Sequence, residues 1–202
     1  MNNYAHSDST LRDAEILHGR KSKYRILGDA VKRGGFSEVY KAIDEGEQGG
    51  LVAVKLIDLN SKKIKRREHE KRIKSECEIH KRLENCPRVI RFVECFDFNK
   101  TNQDMFCIVL EWAEKGDLKD YLRQKGQPGL AEPEVSRLVS QIVDGVQFFQ
   151  KNNLVHRDFK LQNILLDKDN NVKITDFGLA TKLSSRQVVV LNWAGETGAP
   201  AG

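Results

Sequence analysis

The sequence predicts an α+β protein of two unlike lobes, β-rich first and helical second, with a cleft between them. Three observations carry that expectation. LVAVKLI (Leu51–Ile57) and MFCIVLE (Met105–Glu111) are short β-rich runs bounded by polar or glycine segments, as buried strands are. Val135, Leu138, Val139, Ile142, Val146 and Phe149 recur at helical spacing behind Pro133, which predicts an amphipathic helix over Pro133–Gln150 packed deeply on one face. The change of character falls just after Glu111. A ligand is expected where the two lobes meet.

In chain order, residues 1–23 read as a loose polar leader. From Tyr24 to Glu111 the pattern is mostly strand-like, interrupted by one helix over Ile64–Glu84. Ile73, Cys77, Ile79, His80 and Leu83 give that helix its three- and four-residue spacing, and Pro87 closes the region. Gly116, Asp117 and Leu118 open a short helix that ends near Gly126. After the long helix come a polar loop (Asn152–Asn163) and two short strands, Ile164–Leu166 and Val172–Ile174. Asp169, Asn170 and Asn171 lie between those strands and have the chemistry of a tight turn. No internal repeat or low-complexity segment interrupts this order.

The chain's 202 residues suffice for one domain with a sizeable core or for two small lobes, and 39% apolar with 31% charged residues is ordinary for a globular protein. No apolar run approaches the roughly 18 residues of a membrane span, and the N-terminus lacks the apolar core of a signal peptide. A cytoplasmic location is expected, and no membrane partner. Much of the net charge of +5 sits in KKIKRREHEKRIK (Lys62–Lys74). This run is either a nuclear import signal or acidic-partner patch, or a solvated helix entrance partly balanced by Glu68 and Glu70; surface runs are more often the second. It leaves a nuclear location open and is too little to predict nucleic-acid binding. Cys77, Cys86, Cys95 and Cys107 show neither a C-x-x-C pair nor zinc-site spacing, so they read as reduced small hydrophobes.

The chemistry concentrates in HRDFKLQN (His156–Asn163) and in DFG (Asp176–Gly178). Phosphoryl transfer needs an oriented hydroxyl, offset phosphate charge and magnesium held by oxygen. Asp158 can accept a hydroxyl proton, Lys160 can offset phosphate charge, and Asn163 and Asp176 can hold Mg²⁺. Either motif alone would be near chance. Together, in order and joined by a hairpin pattern, they resemble the eukaryotic protein kinase family, with its H-R-D-x-K-x-x-N loop and its D-F-G.

The resemblance implies a protein-kinase-like bilobal fold with a complete β-rich N-lobe (24–112) and a partial helical C-lobe (113–183). Ala53-Val54-Lys55 matches the strand motif V-A-I-K, so Lys55 would meet the α- and β-phosphates of ATP. Its partner would be a glutamate of the Ile64–Glu84 helix. Glu76 is preferred, having Ile73 and Cys77 beside it, and Glu78 stays open. The glycine-rich loop G-x-G-x-x-G-x-V is matched at Gly34, with Gly35 beside it and Val39 closing it. Lys32 stands where the first glycine belongs and Ser37 where the third does. Lys32 either weakens the turn or favours phosphate. Val39 and Ala53 would sandwich the adenine, with Leu110 behind it. The backbone of Glu111 and of Trp112 to Ala113 would hold its edge, and Asp117 would reach the ribose.

Lys160, two residues past Asp158, points to the serine/threonine class. SECEIHKRL with VIRFVECFD, EVSRLVSQIVDGVQF and DFGLATKL looks like the polo-like kinases, particularly the centriole-duplication branch; GGFSEVYKA is also similar to the tousled-like kinases. After Lys182 the resemblance fails, and 184–202 is expected to be an unrelated tail, as in a truncated isoform, a frameshift or a fragmentary gene assembly. The implied function is transfer of the ATP γ-phosphate to serine or threonine hydroxyls of a protein substrate, with ATP and Mg²⁺ as cofactors and reduced activity. The alternatives are a gene fragment and an inactive kinase-derived binding module that holds a kinase partner through an exposed helical face.

Overall fold

The computed structural model describes residues 10–35, 37–46, 49–60, 66–100 and 103–183. The first nine residues of the expected leader, the expected helix start at Ile64 and the 184–202 tail lie outside them.

The first lobe is an antiparallel sheet built from β1 (Ile16–His18), β2 (Lys23–Ile26), β3 (Lys32–Arg33), β4 (Ser37–Asp44) and β5 (Leu51–Asp58), followed by α1 (Arg66–Arg82) and then by β6 (Phe92–Lys100) and β7 (Gln103–Glu111). The strand order is β1-β2-β4-β5-β7-β6, with β3 also paired to β4. In β5 the residues Val52, Val54 and Leu56 are buried on one face of the sheet, while Ala53, Lys55 and Ile57 take the other. The first face packs with Leu17, Tyr24, Tyr40 and Phe96 into an outer core; the second forms a core with α1 through Ile73, Cys77, Ile108 and Leu110.

β1 corrects the expected loose leader. Ile16, Leu17 and His18 pair with Arg25, Tyr24 and Lys23, and Leu11 and Leu17 are fully buried. The segment is held at its turn by Glu94, whose buried carboxylate accepts bonds from the backbone N–H groups of Arg20 (2.9 Å) and Lys21 (3.1 Å) and from the Tyr24 hydroxyl (2.5 Å). Leu11 and Leu17 join the outer core and tie this otherwise polar stretch to the sheet.

The second lobe contains β8 (Gly116–Asp117), α2 (Leu118–Lys125), α3 (Glu132–Lys151), β9 (Leu154–Val155), β10 (Ile164–Leu166), β11 (Val172–Ile174) and β12 (Thr181–Lys182). Asp117 caps α2, its Oδ1 accepting from Asp120 N at 3.0 Å. α3 buries Leu138, Gln141, Gly145 and Phe149. At Gly145 a Cβ would lie 2.5 Å from Ile174 Cδ1, so a larger residue there would require the end of the Ile174 side chain to move. The single deep stripe expected of this helix is divided. Leu138 and Phe149 face the core, while Val135, Val139 and Val143 are 43%, 51% and 46% exposed.

Candidate active site

Where the sheet faces α1 and the second lobe, three charged side chains converge. Lys55 lies on the same face of β5 as Ala53, and opposite Val39 of β4 in register. Its ammonium is 2.7 Å from Glu76 Oε1 and 3.2 Å from Asp176 Oδ1. Glu76 is buried on α1 and Glu78 is exposed, which decides between the two glutamates as the neighbour of Lys55. Burial works against the Lys55 charge, but Glu76 and then Asp176 outweigh it and hold its pKa above the ordinary value. Burial likewise opposes the Asp176 charge, and Lys55 brings that carboxyl below its usual range. Lys55 and Asp176 are thus charged at neutral pH.

Asp176 is placed by its backbone. It sits at φ 67°, a conformation that L-residues rarely adopt, and Phe177 after it is turned into the core at 2% exposure. Phe177 packs against His80 of α1 (ring centroids 5.0 Å) and His156 (5.1 Å), and edge-on to Phe149 of α3 (5.8 Å). Gly178 follows where a Cβ would stand 3.2 Å from Glu76 Oε2. His80 and His156 donate from Nε2 to the carbonyls of Ile90 (2.6 Å) and Thr175 (2.9 Å). Burial pushes His80 down to about 4, and His156 downward too, so both rings are neutral in the stack. Sequence reasoning assigned neither histidine a role: His80 showed only as a member of an apolar face, and His156 only as a motif letter.

The loop His156–Asn163 brings the remaining charges to the cleft. Arg157 stands at φ 62°, and its Nε donates to the Leu179 carbonyl at 2.6 Å. Asp158 Oδ2 is 2.8 Å from Lys160 Nζ and accepts from Asn163 Nδ2 at 2.9 Å. Asn163 is 3% exposed and also donates to the Asp158 carbonyl at 2.9 Å. Its amide nitrogen is therefore committed to Asp158, which leaves its oxygen as the atom for a cation. That oxygen with the Asp176 carboxylate is a hard donor set of the kind Mg²⁺ takes when phosphate oxygens and water supply the rest. The residues fit that ion.

Across the cleft the glycine-rich loop departs from expectation in an informative way. Lys32 lies in β3, paired with Val39, so its backbone is extended and needs no glycine. Its ammonium bridges the cleft to the Gln162 carbonyl (3.2 Å) and stands 4.0 Å from Asp117 Oδ2. Gly34 N donates to the Ser37 carbonyl at 2.7 Å, which closes the hairpin at the tip. Gly35 has nothing within 4 Å of where a Cβ would be. At the lobe junction Ala113 is buried and Leu110 pairs with Ala53 across β5 and β7. The Glu111 side chain is directed away to Lys173 (2.9 Å) and Arg91 N (2.9 Å), so only its backbone is left to face a ligand.

The protein kinase domain family model matches residues 24–195. The chain belongs to the protein kinase family. It is 39% identical over 163 residues to human NUAK family SNF1-like kinase 2, covering 81% of this chain and 24% of that protein. It is also 39% identical over 174 residues to serine/threonine-protein kinase PLK4 of Drosophila grimshawi, covering 86% and 20%, and 38% identical over 163 residues to PLK4 of Nematostella vectensis, covering 80% and 15%. The polo-like resemblance is thus matched by an equal one to the NUAK kinases. It spans a quarter or less of the length of these curated relatives. Protein kinases use ATP, and the bilobal α+β architecture, with its multi-stranded antiparallel sheet and few helices, fits a partial kinase fold. Among the described residues no helix is long and apolar enough to cross a membrane.

Proposed function

We propose that this chain carries an ATP- and Mg²⁺-dependent serine/threonine protein kinase site, of reduced activity in its 202-residue form. The observation that carries the proposal is the buried Lys55 held between Glu76 and Asp176. A cation with two fixed carboxylates at the edge of a cleft suits a polyphosphate that arrives with its own metal. In this reading Lys55 meets the α- and β-phosphates, and Val39 and Ala53 enclose the adenine. The backbone from Glu111 to Ala113 holds the adenine edge, Gly34 and Gly35 let amides approach the phosphates, and Asp117 takes the ribose. Asn163 and Asp176 hold Mg²⁺, which when bound offsets the charge on the transferring phosphoryl group. Asp158 orients the substrate hydroxyl and accepts its proton, and Lys160 neutralises the phosphate beside it. Positioning supplies most of the rate in such a transfer.

Binding of Mg-ATP measured by calorimetry, with Lys55→Met as the control, tests the nucleotide half of the proposal. Binding that the substitution removes supports it; a folded chain that binds no nucleotide overturns it.

A second reading, an inactive module that competes with a larger kinase for a partner, draws on the exposed Val135, Val139 and Val143 of α3. A soluble charge placed there by Val139→Glu would abolish such an association and leave nucleotide binding as it was. Association that survives the substitution counts against this reading.

A further inference from the structure

We propose that the segment Thr10–His18 is an outer brace for the glycine-rich hairpin, and that Glu38 is the positioning residue through which it acts. The segment precedes the residues matched to the protein kinase family. It nevertheless crosses the outer face of the sheet. Leu11 and Leu17 are fully buried there with Tyr24, Tyr40 and Ala42, in the core on the side away from α1.

Both arms of the hairpin are held from that side. On the arm leading into β3, Asp13 Oδ1 accepts from Gly28 N at 2.6 Å, and Ala30 packs on the core that Leu11 and Leu17 complete. On β4, Thr10 N donates to Glu38 Oε2 at 3.1 Å. Leu11 N donates to the Tyr40 hydroxyl at 3.0 Å, and that hydroxyl donates to the same Glu38 oxygen. Glu38 pairs in register with Arg33 of β3, whose Nε stands 3.5 Å from the other carboxylate oxygen. One carboxylate thus gathers the N-terminal segment, β3 and β4. Burial opposes its charge, yet the bonds from Tyr40 and Thr10, with the Arg33 charge, hold the carboxyl below its ordinary range.

The consequence falls on the far side of the same strands. Side chains alternate along β4, so Tyr40 and Ala42 enter the outer core while Val39 takes the cleft face opposite Lys55. Lys32, paired with Val39, reaches across the cleft to the Gln162 carbonyl. Gly34 and Gly35 lie at the tip between the two braced arms. A hairpin whose arms are already fixed loses less freedom when its amides close on phosphates, and that preorganisation is read as affinity. This last step rests on the nucleotide site proposed above; the brace itself does not.

The test reverses the charge presented to Glu38 in the full 202-residue chain. Thr10 is partly exposed, so Thr10→Asp and Thr10→Lys leave the core residues in place. Hydrogen exchange is read at Val31 and Gly34, whose amides bond the Val39 and Ser37 carbonyls within the hairpin, and Mg-ATP binding is read by calorimetry. Thr10→Asp sets a second carboxylate beside Glu38. It is expected to speed exchange at both amides and to weaken Mg-ATP about threefold to tenfold, the worth of one hydrogen bond. Thr10→Lys sets a cation there and is expected to leave both readouts at the parent value. A merely structural role for the segment would answer to both substitutions alike. Unchanged exchange in Thr10→Asp, or equal acceleration in the two variants, overturns the brace. Faster exchange with unaltered Mg-ATP affinity overturns its link to the nucleotide. A parent chain that binds no nucleotide strikes only the kinase reading, because exchange still decides the brace.

Discussion

Lys55 and Glu76 stand 21 residues apart in sequence and meet at 2.7 Å across the interface of β5 and α1. Glu76 is buried and Lys55 partly so, with 9% and 17% of their side chains exposed, so water makes up little of the loss when one charge is removed. Glu76→Gln is expected to cost about 3 kcal/mol of stability, the low end for breaking a buried pair, because Asp176 still stands 3.2 Å from the ammonium. It should also weaken Mg-ATP about tenfold, the worth of one charge-assisted contact. Urea unfolding and nucleotide titration on the same preparation check both effects.

Lys32 makes a different kind of contact. It is exposed, spans the cleft to Gln162, and is free to turn toward an arriving phosphate. Lys32→Ala is expected to weaken nucleotide binding by a factor of about 2 to 5, as a screened surface charge does. The difference should vanish near 1 M salt, where the screening length is about 3 Å. A titration at low and high salt decides it.

His80 sets an acid limit on stability. Burial lowers its pKa from 6.5 to about 4, although its bond to the Ile90 carbonyl pulls the other way. Between those two values the unfolded chain binds a proton that the folded chain refuses. The His80 contribution is therefore complete above about pH 6.5 and is lost as pH falls toward 4, at up to about 1.4 kcal/mol per pH unit. His80→Gln should lower stability at pH 7 and flatten the dependence between pH 7 and 5. Urea midpoints at the two pH values measure the slopes.

Glu94 fastens the first strand to the sheet through Arg20 N, Lys21 N and the Tyr24 hydroxyl. Glu94→Gln puts an amide N–H where a backbone donor needs an acceptor. The expected loss is about 1–3 kcal/mol. Amide exchange should accelerate first at Leu17 and Tyr24, whereas uniform acceleration would show that β1 is not a separable unit.

How much of this was legible follows from how local each signal is. Lys55, Asp158, Asn163 and Asp176 carry short motifs at fixed spacing; that Lys55 lies beside Asp176, and Asp158 beside Asn163, is seen only in the structure. Glu76 could be separated from Glu78 only by the helix face, which its neighbours Ile73 and Cys77 betrayed. β1 was missed because three residues, ILH, form a strand only through pairing with Lys23–Ile26 far better visible in space than in sequence. Glu94 left no signal at all: a charge within FVECF reads as solvent-facing, and its partners lie about 70 residues away. On α3 the periodicity marked one buried stripe, but Leu138 and Phe149 are buried while Val135, Val139 and Val143 stay exposed, because apolar spacing does not say which neighbours will cover a face.

The site stands or falls on Mg²⁺-dependent transfer of labelled γ-phosphate from ATP to a generic serine/threonine protein substrate. The assay uses the purified 202-residue chain with Asp158→Asn as the control, and folding of both is checked by circular dichroism. Slow transfer by the chain, absent without Mg²⁺ and lost by at least about a hundredfold in Asp158→Asn, is the predicted result. Transfer that persists unchanged in the folded Asp158→Asn variant, or none from the folded parent chain, would contradict it.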